Sequence, residues 1–524
     1  MNKKLLPFAL LLAWQMGMCQ AKLRKMTTVI NHPAINNYAP YISFDGNSIV
    51  YLADVGEDNA ITMSYSTRMS TNWTEPVVLP KWINNRLNFM KGYALSEDGK
   101  TLYITNARSN GMGGFDIYTS QLIGNAWAEP MNMLLPVNSK VNDGCPSISL
   151  DGSMMFYMRC DKMDFSKAEG CRILWIRKKP NGQWGEPVEL PAYINSGNSQ
   201  TPRILGDGES LLFSSNKLLP NKGGMDLYMT KMVDGQWSQP QSLDFANTAA
   251  DDQYVTATSM GMYLVKDAPS QHSSELVELL FPPEVRPGSM VKITGTVAGP
   301  DELSSAFVTV FNMKDQTRFF STRPGKDGVF IAYAKQGGLY ELSIDPEKDN
   351  YTFYSKVFDL RGEALPSAEK LEVRLTPASP GGEVILEGVS FKPNSSQMTE
   401  TSSQELRRVS RLMLGNPDKS FAIEVTLLGY QKDSLRSNPD LTEIITDTIR
   451  IPVVYKKDSI SMATRDSLVV HTTYHNDRTL QEAKVIGNTL IMQGIPPGRI
   501  ACSGKAEVEA ILENRKTVVK IIIH

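Results

Sequence analysis

The sequence has few of the residues that usually build metal or redox sites. It contains five cysteines and five histidines in 524 residues. The histidines lie in three separate regions, without the spacing of a metal-ligand set, at His32, His272, His471, His475 and His524. The Gly-x-Ser-x-Gly motif that carries the nucleophile of many hydrolases does not occur. The sequence therefore predicts no cofactor, no metal site and no catalytic residues.

Cysteine is also too scarce for a disulfide framework, which small secreted domains use in place of a large core. Cys145, Cys160 and Cys171 nevertheless lie close together in the sequence. In an exported chain these residues fit two arrangements, a disulfide between Cys160 and Cys171 or three buried thiols.

An excess of charge of one sign is lacking as well. Lys and Arg total 54, Asp and Glu total 56, and the formal net charge is −2. No dense stripe of Lys and Arg occurs. Because nucleic-acid binding depends on a basic surface that neutralises phosphates, the sequence predicts no nucleic-acid partner.

Long hydrophobic runs are absent beyond the N-terminus. There, Met1-Asn-Lys-Lys precedes an apolar run over residues 5–14 that is too short to span a bilayer. A basic start followed by a short apolar core is typical of an export signal. We expect a signal peptide over residues 1–21, cleaved after Ala21. Lipidation of Cys19 is the alternative, and the mature chain would then reach a membrane through that lipid or through partners.

What the sequence does contain is a long repeat. Asp-Gly pairs 53, 53 and 56 residues apart begin at Asp45, Asp98, Asp151 and Asp207. Each pair is followed by short β-type runs and a Trp-x-x-Pro segment, which begins at Trp73, Trp127, Trp184 and Trp237. A weaker fifth unit starts near Ser259 and lacks the Trp-Pro ending. Each unit has room for about four strands, which is the size of one propeller blade.

The repeated aspartates are explained by hairpin geometry, because Gly adopts the positive φ of a tight turn and Asp tolerates it. Their recurrence predicts a structural role, and the tryptophans are predicted to pack the blades. We expect a propeller of five blades over residues 26–283, with six as the alternative, closed by a strand at residues 27–30 that removes two exposed sheet edges. These repeats resemble the WD40-like, TolB-like propeller repeats of bacterial envelope proteins.

Prolines between Phe281 and Pro287 end the repeats. Short alternating runs follow, which predict a small β-sandwich over residues 288–376. Its strands are expected at residues 291–297, 306–310, 328–332, 339–344 and 371–375. The order of Gly295-Thr-Val, Asp327-Gly-Val-Phe and Gly338-Leu-Tyr-Glu-Leu resembles the carboxypeptidase regulatory-like domain, whose usual role is that of a spacer or binding module.

After a linker at residues 377–382 the pattern becomes α/β. We expect one helix that begins with a capping box between Ser402 and Glu405, and a second helix from Thr479. Strands are expected at residues 384–391, 421–428, 499–502 and 517–523. This layout, with Phe391, Gly415-Asn-Pro417, Tyr474-His475 and Asn514-Arg515-Lys516 as landmarks, resembles the OmpA-like peptidoglycan-binding domain over residues 383–524.

The resemblance implies a groove in which an Asp and an Arg hold the diaminopimelate of peptidoglycan. At those positions this chain has Lys432 and Glu482, and Glu482 would repel the carboxylate that a guanidinium grips. Two interpretations remain open, a swapped pair that still binds, or a surface ion pair in a pocket that has lost its ligand. Tyr430, Asn514 and Arg515 are the other groove candidates, with solvated residues before the last strand as the alternative for Asn514 and Arg515.

An insert at residues 432–473 lies where the resemblance implies a much shorter connection. Within it, residues 449–455 and 467–471 are predicted to pair as a hairpin that serves as a lid or as a protein-contact surface. Short Asp-Ser/Thr-aliphatic patterns begin at Asp433, Asp447, Asp458 and Asp466, and they leave O-glycosylation of the insert as an open alternative.

The order of propeller, sandwich and OmpA-like domain resembles the PorE family of the type IX secretion system of Bacteroidetes, although that family also carries N-terminal helical repeats that this sequence does not show. The resemblance implies a non-catalytic periplasmic scaffold associated with the outer membrane, in type IX secretion or envelope integrity. Its propeller face would bind protein partners, and its last domain would face peptidoglycan and in one interpretation bind it. The alternative is a carbohydrate- or peptide-processing propeller enzyme, which needs acids or histidines clustered in the central channel.

Overall fold

The computed structural model describes the chain from Leu23 to His524 with several gaps. The residues left out within this range are 45, 56–59, 70–71, 85–91, 165–166, 259–260, 270–272, 300–305, 326, 363–369, 393–394, 429–442, 457–461, 476 and 508–515. The described residues belong to two compact units, one that ends at Met290 and one that begins at Val291. Within these residues, no helix is both long and apolar enough to cross a membrane.

The described part of the first unit contains five antiparallel sheets, which follow one another along the chain in the arrangement of a β-propeller. The first sheet consists of β2 (Asn37–Ile42), β3 (Ser48–Ala53), β4 (Thr62–Met69), β5 (Asn72–Trp73) and β6 (Val77–Val78), followed by the short helix α1 (Lys81–Asn84). The second consists of β7 (Tyr93–Leu95), β8 (Thr101–Asn106), β9 (Asp116–Ile123), β10 (Ala126–Trp127) and β11 (Met131–Asn132).

The third sheet consists of β12 (Asn142–Ile148), β13 (Met154–Cys160), β16 (Arg172–Arg177) and β17 (Val188–Glu189), with a small side hairpin of β14 (Lys162–Met163) and β15 (Ala168–Glu169). The fourth consists of β18 (Gln200–Ile204), β19 (Ser210–Ser215), β20 (Asp226–Val233), β21 (Gln236–Trp237) and β22 (Gln241–Ser242). The fifth consists of β23 (Thr256–Ala257), β24 (Tyr263–Pro269), β25 (Ser274–Leu280) and, at its outer edge, β1 (Leu23–Lys25).

Strand β1 joins the start of the chain to the last sheet. It pairs with β25 in antiparallel register, from Leu23 opposite Leu279 to Lys25 opposite Val277. The expected closing strand at residues 27–30 is therefore wrong by a few positions. Those residues form a turn instead, because the N–H groups of Ile30 and Asn31 both bind the Thr27 carbonyl.

The turn role predicted for the repeated aspartates is confirmed at three positions, whereas Asp45 lies outside the described residues. Asp98 and Asp151 each accept a hydrogen bond from the serine two residues before, at 2.7 Å in both cases. Asp207 accepts from the backbone N–H groups of Glu209 and Ser210. The following glycines have φ values of 69°, 65° and 70°, so the Asp-Gly pairs build hairpins as expected.

A second repeated device is a buried or half-buried asparagine that pairs with the third strand of a sheet. Its side-chain carbonyl accepts from a backbone N–H, and its amide donates to the carbonyl of that same residue, which imitates one step of a β-ladder. The pairs are Asn84 with Met63, Asn138 with Ile117, Asn195 with Ile173, Asn247 with Leu227 and Asn31 with Leu276. Asn31 pairs with β25 of the fifth sheet. The N-terminal segment therefore contributes two elements to that sheet, the strand β1 and the side chain of Asn31.

The repeated tryptophans pack between sheets, as predicted. Trp127 meets Tyr65 edge to face, with ring centroids 5.6 Å apart, and Trp237 meets Phe156 in the same way at 5.8 Å. The open choice between a disulfide and three thiols is also decided, because Cys160 and Cys171 form a disulfide while Cys145 is a buried thiol.

The second unit begins with a sandwich of two sheets. One contains β26 (Met290–Ala298), β29 (Val329–Lys335) and β32 (Lys370–Arg374), and the other contains β27 (Ala306–Asn312), β28 (Thr317–Thr322), β30 (Leu339–Pro346) and β31 (Tyr354–Asp359). The five predicted strands are present. Strands β28 and β31 were not predicted, because their mixed polar and aromatic residues lack a clear aliphatic alternation.

The rest of the second unit is α/β. Its sheet has the order β33 (Glu383–Ile385), β38 (Lys516–Ile523), β34 (Phe421–Leu428) and β37 (Ile500–Glu507), packed with α2 (Ser403–Leu414) and α3 (Thr479–Met492). The long strands β35 (Glu443–Lys456) and β36 (Met462–His475) form a separate two-stranded sheet. This ribbon contains the predicted hairpin, with Ile449 opposite Val469, and extends it in both directions.

The predicted capping box of α2 is wrong. Ser402 has helical backbone angles and makes no cap hydrogen bond, because a 3₁₀ turn over Glu400–Ser402 leads into the helix. Glu405 is fully buried and accepts a hydrogen bond from Ser355 of the sandwich. The side chain expected to cap its own helix therefore connects that helix to β31.

Glu405 belongs to a buried charge cluster that joins the sandwich to α2. Arg408 forms ion pairs with Glu341 and Asp345 of β30, and Arg411 also binds Asp345. Burial, reinforced by the charge of Glu341, raises the pKa of Glu405 to about 8. Because this pKa lies above the ordinary value, the protonated form favours the folded state, and stability is lost as pH rises through about 8.

We expect the junction between the sandwich and α2 to weaken as pH rises from about 4.5, the ordinary pKa, to about 8, by up to about 1.4 kcal/mol per pH unit, and to change little above that range. Glu405→Gln should remove most of this pH dependence, because the amide stays neutral. Urea unfolding between about pH 5 and pH 9, followed through the methyl signals of the buried residues Leu406 and Val409, measures the effect, with the slope expected below about pH 8 and a plateau above it. Glu372→Gln on exposed β32 is the matched control, and equal pH slopes for Glu405→Gln and the wild type would contradict the assignment.

Candidate functional site

The axis of the propeller is lined by the innermost strand of each sheet, and each of these strands bends at one residue. That residue has a φ between 47° and 70° in every case, at Ala39, Gly92, Cys145, Thr201 and Tyr254. Four of the five are not glycine, so the bend places L residues in the left-handed region. In the first, third and fourth sheets the bend coincides with a shift in β-register, which is a β-bulge.

The bends turn backbone carbonyls towards Arg203, which is 3% exposed. Its Nε donates to the Val255 carbonyl at 3.1 Å, Nη1 to Pro146 at 2.9 Å and Nη2 to Tyr93 at 2.8 Å. Each of these carbonyls belongs to the residue directly after a bend. The guanidinium carbon also lies 4.6 Å from the centre of the Tyr41 ring. This axial cluster therefore joins all five sheets through one side chain.

The axis has room for only one such side chain. Counted from the bends, the residues equivalent to Arg203 are Tyr41, Ala94, Ser147 and Thr256, and three of these are small. Carbonyl oxygens that converge on a dry site repel one another, and a cation removes that repulsion. Burial raises the pKa of the phenols of Tyr41, Tyr93 and Tyr254, and Arg203 opposes that rise. The side chains of Arg203, Tyr41, Tyr93 and Tyr254 therefore help to hold the sheets together.

One mouth of the axis is covered. A cavity of about 40 Å³ lies there between Phe44, Leu150, Arg203 and residues 287–290, which is enough for little more than a water molecule. The Gly288 N–H donates to Asp207 at 2.8 Å, so one of the repeated aspartates also fixes the segment that leaves the fifth sheet. Asp207 and Arg203 therefore have structural partners here.

Most of the predicted groove residues lie outside the described residues. This is the case for Tyr430, Lys432, Asn514 and Arg515, and for the lipidation candidate Cys19. Glu482 is described and lies in the first turn of α3, where it is 9% exposed. Because Lys432 lies outside the described residues, both interpretations of the pair of Lys432 and Glu482 stay predictions. A carboxylate in the first turn is stabilised by the helix dipole.

The ribbon of β35 and β36 presents exposed apolar side chains on both of its faces. Each strand has 14 residues, and the ribbon pairs with no other sheet among the described residues. One face carries Ile449, Ile451, Val453, Tyr455 and Val469, and the other carries Val454, Met462, Leu468 and Val470. All of these are at least 42% exposed. A two-stranded ribbon is marginally stable alone, and exposed apolar side chains in such number are unusual on the surface of a monomer.

Among the described residues, no group of three or more His, Cys, Asp or Glu side chains is placed to hold a metal ion. The residues that the sequence analysis missed are those of the axial cluster. The spacing of the bends follows the repeat, but their residue types differ at every position, so the sequence carried no recognisable signal for them.

Comparison with known proteins gives no family assignment. No family model matches the chain, and no curated protein matches it.

Several solved structures resemble it. A protein described as TolB from Agrobacterium tumefaciens is 14% identical, with a TM-score of 0.29 over 57% of this chain and 90% of that chain. An oligogalacturonate lyase from Vibrio parahaemolyticus is 9% identical, with a TM-score of 0.30 over 52% and 96%. An exo-1,5-alpha-L-arabinanase from a bovine ruminal metagenomic library is 13% identical, with a TM-score of 0.29 over 48% and 94%. At TM-scores this low, these likenesses carry no argument about function.

We expect Arg203→Met to destabilise the first unit by at least about 3 kcal/mol, because three buried carbonyls lose a charged donor. All seven tryptophans lie before residue 238, so their fluorescence in a urea titration reports on this unit. Arg172→Met, which removes an exposed arginine with only surface ion pairs, should cost less than about 1 kcal/mol. Equal effects of the two substitutions would contradict the role of the axial cluster.

Proposed function

We propose that the chain is a non-catalytic scaffold of the bacterial envelope, and that its five sheets are the five blades of one complete propeller. The observation that carries this proposal is the ribbon of β35 and β36. Its apolar side chains are exposed on both faces, and a ribbon that buries neither face is stabilised when a protein partner covers it. A protein-contact surface fits these properties better than a lid.

The propeller axis supports a role in binding rather than in catalysis. Propeller enzymes of the alternative class need acids or histidines that are free to act in the central channel. Here the guanidinium of Arg203 occupies the axis, with its donors bound to backbone carbonyls. Three of the four repeated aspartates are engaged in turns. Arg203 and these three aspartates thus have structural partners, which supports a structural role for them.

The second unit supports an envelope location. Apart from the inserted ribbon of β35 and β36, the elements that follow β33 are helix, strand, helix, strand and strand, which is the layout that resembles the OmpA-like domain. Together with the N-terminal export signal, this favours a periplasmic scaffold associated with the outer membrane, of the type found in type IX secretion. Peptidoglycan is a second ligand in this proposal, through Arg515 and its neighbours.

Substitution of the ribbon should remove partner binding without unfolding the chain. Leu468→Glu together with Val470→Glu places two charges on one exposed apolar face, so complexes that chemical cross-linking traps in the envelope of the producing bacterium should be lost. Thr464→Glu on the same face is the matched control, because Thr464 is exposed and polar. If the doubly substituted protein still forms the wild-type complexes, the ribbon is not the contact surface.

Retention of the full chain on purified peptidoglycan sacculi tests the second ligand. We expect saturable retention that is lost in Arg515→Ala, because a guanidinium binds the stem carboxylate bidentately. Lys484→Ala, which removes an exposed lysine from α3, should leave retention unchanged. If the wild-type chain is not retained on the sacculi, peptidoglycan is not a ligand. The proposal is then limited to contacts with protein partners.

A further inference from the structure

The two faces of the ribbon of β35 and β36 differ in composition. Successive residues of a strand alternate between faces, and residues directly opposite each other on paired strands share a face. Ile449 lies opposite Val469, and Tyr455 lies opposite Ala463. Between these two pairs, one face of the ribbon, which we call the Ile449 face, contains Ile449, Ile451, Val453, Tyr455, Ala463, Arg465, Ser467 and Val469.

Charge is scarce on the Ile449 face. Of the residues just named, Arg465 alone is charged, and its guanidinium carbon lies 5.5 Å from the centre of the Tyr455 ring. This distance is that of a cation–π contact, so the charge lies against a side chain of its own ribbon. The opposite face, which we call the Leu468 face, has Arg450 and Asp466 among its apolar side chains.

The Ile449 face is also the less exposed of the two. The exposed fractions of its five large apolar side chains lie between 42% and 49%, whereas those of the four on the Leu468 face lie between 57% and 69%. Interfaces between identical chains are more apolar than other protein contacts, and charged residues are depleted at the core of an interface. The Ile449 face therefore has the composition of a contact between copies of one chain, and the Leu468 face has that of a contact with a different protein.

We propose that the Ile449 face binds the Ile449 face of a second copy of this chain, with the two ribbons running in opposite directions about a twofold axis. The Leu468 face then remains available to the protein partner of the proposed function, on which this inference rests. The inference names a second copy as the occupant of one of the two faces of the ribbon.

A twofold contact requires a face that complements itself, and the Ile449 face does so when the axis passes between Ile451 and Val453. Apolar residues then face apolar residues of the second copy, in the pairs Ile449–Tyr455, Ile451–Val453 and Val469–Ala463. Arg465 faces Ser467, whose hydroxyl accepts a hydrogen bond from the guanidinium. With both ribbons running in the same direction, Arg465 would instead face Val453, which offers no acceptor and leaves the charge without compensation.

The area of this contact is at the lower limit for a specific interface. Each strand has 14 residues, which gives a ribbon about 46 Å long and about 10 Å wide. Two such faces bury roughly 900 Å² in total, close to the area of about 1,000 Å² that a biological interface usually exceeds. We therefore expect a reversible dimer with a dissociation constant on the order of 10 µM.

Sedimentation velocity of the full chain, at concentrations from about 1 to about 100 µM, tests the inference. We expect monomer at the lowest concentration and mostly dimer at the highest. Ile451→Glu together with Val453→Glu places like charges in facing positions and should weaken the dimer at least about hundredfold. Val454→Glu together with Leu468→Glu, at exposed positions of the Leu468 face, is the matched control and should leave the dissociation constant unchanged.

Ser467→Asp tests the same contact by a gain of affinity, and it applies even if the doubly charged variant disturbs the ribbon. The new carboxylate faces Arg465 of the second copy, so the dimer should become about threefold tighter at low salt. With both ribbons running in the same direction, the carboxylate would face Ile451 and weaken the dimer. The sign of the change therefore reports the direction of the two ribbons.

A wild-type chain that stays monomeric at about 100 µM, or a dimer that the variant with Ile451→Glu and Val453→Glu leaves intact, would overturn the inference. A weaker dimer of Ser467→Asp would overturn the opposite direction of the ribbons. None of these results touches the envelope complexes, which are tested through Leu468 and Val470. A monomeric chain that still forms those complexes would keep the proposed function, whereas a dimer whose envelope complexes do not respond to Leu468→Glu with Val470→Glu would keep only this contact.

Discussion

The guanidinium of Arg203 is the contact on which the arrangement of the first unit depends. Five innermost strands bend at equivalent positions, and three of them direct the carbonyl after the bend to this one side chain. Carbonyl dipoles that converge in a dry interior repel one another unless a cation lies among them. A symmetric repeat cannot supply that cation from every sheet, because the axis has space for one. The cluster therefore depends on a break in the repeat.

The sequence predicted the features of the first unit that rest on local chemistry. The Asp-Gly pairs and the Trp-x-x-Pro segments recur with constant residue types, because each hairpin and each packing contact needs the same side chains. The bends recur with the same spacing but as Ala, Gly, Cys, Thr and Tyr, since their backbone is held by the surrounding sheets rather than chosen by the residue. Arg203 could not be found by periodicity, because it occurs in one repeat alone.

In the second unit, too, the sequence predicted the features that depend on neighbouring residues and missed those that depend on contacts with distant parts of the chain. Periodicity predicted the helices and the main strands of the α/β part, because each buries a regular apolar stripe. The capping box at Glu405 failed because a buried contact with Ser355, 50 residues earlier, outcompetes a local bond. Glu482 lies in the first turn of α3 and is 9% exposed, whereas Lys432, with which the resemblance pairs it, lies outside the described residues. Of the other groove candidates, the described residues include none, so the candidate site itself remains a prediction from sequence.

Within the propeller, two kinds of position can be distinguished. Some have the same residue in each sheet, and others differ in one sheet alone. Residues that recur from sheet to sheet serve the fold, as the asparagine pairs do in all five sheets and the turn aspartates do at Asp98, Asp151 and Asp207. A position that differs in one sheet needs a separate explanation, because the framework already has a stable solution for it in the others. At Arg203 the explanation is internal, since the side chain is buried and its donors are bound to backbone carbonyls. The ribbon differs from Arg203, because it presents exposed apolar side chains on both of its faces. In the proposed function, the ribbon is the surface that a protein partner covers, because its apolar side chains have no cover of their own among the described residues.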